Sequence, residues 1–144
     1  MPTDNRLKPE NIESFTLIFD GGSIGNPGPS YGSYLLRGPK ITANKPARLR
    51  FGRGTNNEAE YRTLIAGVEA FLTQLEKLGI EPGQASLEIR GDSKLVLNQL
   101  SGQWKAKNSR MRILRDRTWD LLEPIGSIKY RHQPRERSVA VLGH

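Results

Sequence analysis

Residues 15–22 read Phe15-Thr-Leu-Ile-Phe-Asp20-Gly-Gly22, an aromatic and β-branched run that ends in an acid and two glycines. This run predicts a strand over Phe15–Asp20 that the glycines stop. Taken alone, Asp20 is more simply interpreted as a turn residue, because Asp-Gly is a common turn signal. A second glycine-rich stretch, Gly25-Asn-Pro-Gly28, favours a ligand or metal instead, since flexible backbone beside an acid permits close approach.

The rest of the chain supplies the partners of this strand. Composition and periodicity predict strands over Tyr31–Arg37, Ala47–Arg53, Ala85–Gly91 and Ile125–Arg131, and helices from Thr55 to Gly79, over Ser93–Leu100 and from Asn108 or Ser109 to about Pro124. A strand–helix–strand crossover requires parallel pairing, whereas short turns favour an antiparallel meander. We therefore expect an α/β fold with a mixed five-stranded sheet, three antiparallel strands followed by two parallel ones, and helices packed on it.

A second acid, Asp92, also follows a buried strand, directly after Gly91. Ligand sites in open α/β sheets lie beyond the carboxyl ends of parallel strands, so Asp20 and Asp92 would emerge side by side if their strands are parallel neighbours. The alternative makes Asp92 a helix N-cap, a role that Ser93 could equally supply. Two acids at matching strand ends favour a common site over two unrelated turns.

The long helix carries two acids, and helical geometry separates them. At about 100° per residue, Glu60 lies near Leu64 and Val68 on the margin of the buried face. Glu58 points toward Arg62 on the solvent side and completes a capping box with the threonine before the helix. We therefore expect Glu58 to be the cap and Glu60 to turn toward the sheet, where its charge needs a cation.

Three acids that converge without a cysteine or histidine beside them suit a hard, oxygen-preferring ion. Mg²⁺, with Mn²⁺ as a substitute, is the natural choice over zinc. The absence of cysteine excludes disulfides and thiolate zinc sites. A net charge of +7 and a pI of about 10.0 favour a polyanionic partner, although solubility alone explains the charge equally well. In a basic protein, an acidic metal site indicates phosphoryl transfer, in which two metal ions can activate water and stabilise the leaving oxygen.

The length of 144 residues suits a single domain with one core, which we place at residues 14–144. Residues 1–13 are interpreted as a polar lead-in without the apolar segment of a signal peptide. No run approaches the roughly 18–20 apolar residues that a membrane span needs. We therefore expect no membrane partner, no obligatory protein partner and a cytoplasmic protein.

Three blocks resemble the signature of type 1 ribonuclease H. They are Phe19-Asp-Gly-Gly-Ser…Gly25-Asn-Pro-Gly-Pro29, Thr55-Asn-Asn-Glu-Ala-Glu-Tyr61 and Gly91-Asp-Ser93, and the match continues in order to about Arg137. The stretch from Asn98 to Asn108 resembles the compact subgroup without an extended basic handle. The resemblance implies a ribonuclease H-like fold and a metal-dependent endonuclease that hydrolyses the RNA strand of RNA–DNA hybrids and leaves 5′-phosphate ends.

The same resemblance implies roles for the acids and for two asparagines. It makes Asp20 the ligand shared by two Mg²⁺ ions, with Glu60 and Asp92 completing the second metal site. It places Asn56 and Asn57 where the minor groove of the hybrid would pass, and there the 2′-hydroxyls distinguish RNA from DNA. The alternative interpretation of both asparagines is that they are first-turn helix residues.

Further residues receive substrate or catalytic roles from the resemblance. Asn26 joins the substrate-binding set, although it could be only a turn former. Trp104 with Lys105 and Lys107 suits the backbone of the DNA strand, and a core position is an equal alternative for Trp104. His132 matches a flexible-loop histidine thought to help proton transfer or product release; its alternative is an exposed loop residue without a role.

The tail departs from the family pattern. The family usually follows a Pro-Arg-Glu-type stretch with an asparagine and then an Ala-Asp pair, whereas this chain has Ser138 and Leu142 at these positions. Leu142 thus replaces the fourth acid, which by resemblance shares the first metal with Asp20. We expect the final helix to be truncated and almost absent.

Three explanations of this departure compete. A frameshift or truncation would leave a crippled enzyme, Glu136 or the terminal carboxylate of His144 would substitute for the acid, or the protein would bind hybrids without cutting them. Reduced but retained activity is the preferred hypothesis, because three acids remain. A non-catalytic hybrid-binding module is the main alternative. A nuclease module beside a reverse transcriptase is a third, although the polar start favours a free-standing protein.

Overall fold

The computed structural model describes residues 12–143, which form a mixed five-stranded sheet with helices on both faces. The strands are β1 (Glu13–Ser23), β2 (Gly28–Arg37), β3 (Ala47–Gly54), β4 (Ala85–Gly91) and β5 (Ser127–His132), in the order β3-β2-β1-β4-β5. β1, β2 and β3 pair antiparallel, whereas β4 pairs parallel with both β1 and β5. The expected sheet of three antiparallel and two parallel strands is confirmed.

The central strand β1 is longer at both ends than the sequence suggested. Residues 1–11 of the expected lead-in lie outside the described residues, and Glu13 already belongs to β1. At the other end, the strand continues through Gly21 and Gly22 to Ser23 because β2 keeps pairing with these residues. The prediction that the two glycines stop the strand is therefore wrong: hydrogen bonds to a neighbouring strand outweigh the local turn signal.

Helix α1 (Asn56–Leu78) packs on β1 and β2 and begins and ends where the sequence predicts. The Thr55 hydroxyl accepts a hydrogen bond from the backbone N–H of Glu58, and the Glu58 carboxylate accepts one from the N–H of Thr55, which completes the capping box. Glu58 also lies 3.8 Å from Arg62, as expected. Gly79 ends the helix in the left-handed conformation, with φ of 69°.

Helices α2 (Lys94–Leu100) and α3 (Ser109–Leu122) follow β4. The Ser93 hydroxyl caps α2 and the side chain of Asn108 caps α3, so both predicted starts are confirmed. The last strand begins at Ser127 rather than Ile125, because Ile125 is held in a turn by a backbone hydrogen bond to Leu122.

The main core lies between these helices and one face of the sheet. Leu17 and Phe19 of β1 contribute to it together with apolar residues of α1, α2, α3 and β4. Ile18 points to the opposite face, because successive side chains of a strand alternate. Within residues 12–143, no helix combines the length and the apolar character that a bilayer-spanning segment needs.

The opposite face carries α4 (Arg135–Leu142), which corrects the expectation that the final helix is almost absent. Leu142 is fully buried against Ile18 and Leu35. A guanidinium nitrogen of Arg48 donates a hydrogen bond to the Leu142 carbonyl oxygen at 3.1 Å. These contacts with the sheet stabilise a helix that is too short to form on its own.

Candidate active site

Asp20 and Asp92 lie at corresponding positions of two parallel strands. The register of β1 and β4 pairs Ile18 with Arg90, and each acid follows two residues later. Asp20 is 4% exposed, and Asp92 lies just before the cap of α2. The expected side-by-side placement follows directly from the parallel pairing. Ser93 rather than Asp92 caps the helix, which leaves the Asp92 carboxylate for the site.

Glu60 reaches the same place from the first turns of α1. The backbone N–H of Gly21 donates a hydrogen bond to its Oε2 at 3.1 Å. This contact depends on a close approach of helix and strand, since a Cβ on Gly21 would lie 2.6 Å from the carbonyl carbon of Ala59. One carboxylate oxygen from each of Asp20, Glu60 and Asp92 lies within 4.8 Å of the others.

The three carboxylates make the site strongly electronegative. Burial raises the pKa of Glu60 well above its ordinary value, and the nearby charges of Asp20 and Asp92 raise it further. The hydrogen bond from Gly21 and the charge of Arg135 act in the opposite direction. Oxygen ligands crowded in this way, with no nitrogen or sulfur ligand among them, fit a hard divalent cation such as Mg²⁺ or Mn²⁺.

Arg135 is a site residue that the sequence analysis did not identify. Its guanidinium lies 3.7 Å from the Asp92 carboxylate, and it lines a cavity of about 520 Å³ together with all three acids. The sequence contains it in the Pro134-Arg-Glu136 stretch but gives no sign of its position. That position depends on how α4 packs across the sheet.

The tail brings no fourth acid into the carboxylate cluster within residues 12–143. Leu142 is a core residue on the sheet face opposite α1. Glu136 is exposed on α4 and is not part of the cluster. Ser138 is buried and accepts a hydrogen bond from the side chain of Gln133. The terminal carboxylate of His144 lies outside the described residues.

The asparagines expected to contact substrate form a network beside the acids. The Asn56 side-chain oxygen accepts hydrogen bonds from the backbone N–H and the hydroxyl of Ser23, at 2.8 and 3.0 Å. The Asn26 side-chain oxygen accepts one from the N–H of Asn56 at 3.0 Å. The Asn56 oxygen already accepts two hydrogen bonds, so the amide nitrogen of Asn56, which can only donate, is the group that remains to meet a ligand.

A second cavity, of about 420 Å³, continues from the asparagines toward the basic segment before α3. Asn26, Asn57, Lys105, Lys107 and Asn108 contribute to its lining. Asn57 lines this cavity and the acidic one, so the two adjoin. The sequence identified Asn108 only as a helix cap; that it also lines this cavity depends on the fold.

The structure excludes one of the expected positions for each of two residues, Trp104 and His132. Trp104 is 49% exposed, so the alternative of a core position is wrong, although Trp104 does not line either cavity described above. His132 is the last residue of β5 and pairs with Gly91, so its assignment to a loop is wrong. It is exposed next to the strand end that precedes Asp92.

Known proteins are similar to this chain in sequence and in fold. The model of the reverse transcriptase-like family matches residues 46–141, which are 96 of the 144 residues. A bifunctional protein of Mycobacterium tuberculosis is 37% identical over 120 residues, which cover 83% of this chain and 31% of that protein. The chain therefore spans less than a third of this relative's length.

Two solved structures show the same architecture. The structure of RNase H1 from the archaeon Halobacterium salinarum has a TM-score of 0.73 at 34% identity, and the match covers 87% of this chain and 89% of that one. LC11-RNase H1, solved in complex with an RNA/DNA hybrid, has a TM-score of 0.76 at 26% identity, covering 88% and 90%. The sequence match, the strand order and the shared fold lead to one conclusion: the chain belongs to the type 1 ribonuclease H family.

Proposed function

We propose that this chain is an endonuclease that hydrolyses the RNA strand of RNA–DNA hybrids by two-metal-ion catalysis and leaves 5′-phosphate ends. The observation that carries the proposal is the convergence of Asp20, Glu60 and Asp92 within 4.8 Å at one end of the sheet. Membership of the family supports it. So does the similarity to LC11-RNase H1, whose structure contains an RNA/DNA hybrid.

Asp20, Glu60 and Asp92 would hold the divalent cations, Mg²⁺ or its substitute Mn²⁺, with Asp20 as the shared ligand. Bound cations of this kind activate water and stabilise the leaving oxygen in phosphoryl transfer. The chain's own contribution is to fix the carboxylates before substrate arrives. The N–H of Gly21 does this for Glu60, and the parallel register does it for the two aspartates.

Residues beside the acids would select and orient the hybrid. The amide nitrogens of Asn56 and Asn57 would donate to the 2′-hydroxyl oxygens of the RNA strand. Asn26, whose side-chain oxygen accepts a hydrogen bond from the Asn56 N–H, would contact the hybrid beside them. Lys105 and the exposed Trp104 would contact the DNA strand. His132, exposed beside the site, would assist proton transfer or product release.

The activity would be lower than that of a site with four acids. Leu142 supplies no ligand from α4, and the same helix presents Arg135 to Asp92 instead. A cation at this place opposes metal binding and favours a phosphate group. This observation also supports the second candidate function, a module that binds hybrids without cutting them.

Cleavage and binding measurements separate the two candidates. An RNA–DNA hybrid labelled on the RNA strand is incubated with the protein in Mg²⁺, in Mn²⁺ and in EDTA, and its binding is measured in EDTA. A nuclease should bind the hybrid in EDTA and should cleave the RNA strand with either metal. Binding without cleavage in both metals would favour the module. A DNA duplex of the same sequence is the matched substrate control, because it lacks 2′-hydroxyls.

A further inference from the structure

Two adjoining cavities lie between β3, α1 and α3, on a surface that the proposed nuclease activity does not use. Their volumes are about 420 Å³ and 320 Å³, and Arg62 and Leu114 line both, so the cavities form one continuous groove. None of the three clustered acids lines it. This arginine groove is the surface formed by Arg53, Arg62, Arg110, Ile113, Leu114 and Arg117.

Helical spacing explains why these side chains share a surface. Arg110, Ile113, Leu114 and Arg117 recur at positions i, i+3, i+4 and i+7 of α3, which is one face of a helix. On α1, Arg62 lies roughly 160° around the helix axis from Glu60. The arginine groove therefore faces away from the acids.

The floor of the arginine groove is apolar and incompletely covered. Ile113 is 68% exposed, and Leu114 is a partly buried residue packed on the main core. Phe51, Ile65 and Ala66 line the second cavity. A large exposed aliphatic side chain beside an apolar cavity is a surface that apolar side chains of another molecule can cover.

The rim of the arginine groove is positively charged. Arg62 and Arg117 each lie near one glutamate, at 3.8 and 3.6 Å. Among the described residues 12–143, no carboxylate lies within 4.0 Å of the Arg53 or Arg110 guanidinium. The rim thus has two more positive charges than negative ones, and a negatively charged ligand would complement it.

We propose that the arginine groove binds an acidic segment of a partner protein that carries aliphatic or aromatic anchor residues. The acidic side chains would pair with Arg53 and Arg110, and the anchors would cover Ile113 and the apolar floor. A nucleic acid duplex would match only the charge of this surface, because its backbone is negatively charged but offers no apolar side chain to cover Ile113. This interaction is independent of whether the chain cleaves hybrids.

Fluorescence anisotropy with the full chain tests the proposal. The probes are two short fluorescein-labelled peptides of identical composition, rich in aspartate with leucine and phenylalanine anchors. One spaces its anchors for a helix and the other alternates them for a strand. A third peptide replaces every aspartate with lysine. The variants are Arg110→Glu and Ile113→Asp in the arginine groove, and Arg112→Glu as a matched charge reversal elsewhere on exposed α3 surface.

At least one aspartate peptide should bind, more weakly at high salt, and the lysine peptide should not. Arg110→Glu and Ile113→Asp should each weaken binding about tenfold, whereas Arg112→Glu should leave it within about twofold. Circular dichroism establishes that each variant is folded, and hybrid binding in EDTA should be unchanged in all three. Failure of both aspartate peptides to bind overturns the proposal. An equal loss in Arg112→Glu also overturns it, as does a tenfold loss of hybrid binding in the groove variants.

Discussion

Burial and the carboxylates of Asp20 and Asp92 raise the pKa of Glu60 well above its ordinary value of 4.5. A carboxyl group with a higher pKa in the folded chain holds its proton more tightly when folded. Its stabilising contribution is therefore complete below about pH 4.5 and is lost as the pH rises through the folded-state pKa. In the absence of divalent cations, the raised pKa of Glu60 should make the fold less stable at neutral pH than at pH 4.5.

Urea unfolding in EDTA at a series of pH values measures this effect. The free energy of unfolding of the parent chain should fall, relative to that of Glu60→Gln, as the pH rises above 4.5. The glutamine variant is the matched control because it keeps the shape and the hydrogen-bond acceptor without the charge. If the free energies of unfolding of the two proteins changed in parallel with pH, the pKa of Glu60 would not be raised by folding.

Single residues differed in how far the sequence could place them. Asp20 and Asp92 could be placed because both lie toward the carboxyl ends of predicted strands, and Glu60 because a helical angle needs only local geometry. Arg135 could not be placed, because its distance to Asp92 depends on α4 packing across the sheet. The sequence also could not predict that Asn108, a helix cap, lines a cavity, because this depends on contacts between distant parts of the chain.

In α4, Leu142 is the one apolar side chain that is buried. Leu142 is fully buried against Ile18 and Leu35. Leu142→Ala should lower the free energy of unfolding by about 2–5 kcal/mol, because it removes buried methyl groups and leaves a cavity. Leu142→Met keeps most of the volume and should cost less than about 1.5 kcal/mol. Urea unfolding of both variants makes the measurement, and equal stability of the alanine variant and the parent would mean that Leu142 does not anchor α4.

The ends of helices and strands were predicted correctly where a local sequence signal defines them. The capping box and Gly79 fixed both ends of α1, since each acts within one helical turn. The far end of β1 was misjudged, because pairing with β2 carries the strand through its glycines. Helix α4 has no side-chain cap at Pro134, so the sequence carries no local signal for its start, and the helix depends on its contacts with the sheet.

At the scale of the whole molecule, the net charge of +7 predicts salt-dependent binding of a polyanion. Lys105 lines the cavity that adjoins the acids, so Lys105→Ala should weaken hybrid binding and reduce the slope of log K against log salt by about 1. Lys129 is exposed on β5 and lines neither site cavity, so Lys129→Ala is the matched control. Equal slopes for the parent and Lys105→Ala would contradict a backbone contact at this residue.

The mixed sheet of three antiparallel and two parallel strands was accessible from the sequence because crossover rules leave few arrangements for strands and helices in this order. Its consequence for function is that β1 and β4 are parallel neighbours, so their terminal acids meet beside α1. The opposite face was not accessible, because the contacts between α4 and the sheet join residues far apart in the sequence, such as Leu142 and Ile18.

Hydrolysis of a hybrid labelled on the RNA strand, by the parent chain and by Asp20→Asn in Mn²⁺, tests the central claim most directly. Asp116→Asn, an exposed change on α3 away from the acids, is the matched control. We predict that the parent and Asp116→Asn cut the RNA strand, and that Asp20→Asn binds the hybrid but neither cuts it nor binds Mn²⁺ in a calorimetric titration. Cleavage by Asp20→Asn at the parental rate would contradict the assignment of the three clustered acids as the metal-binding active site.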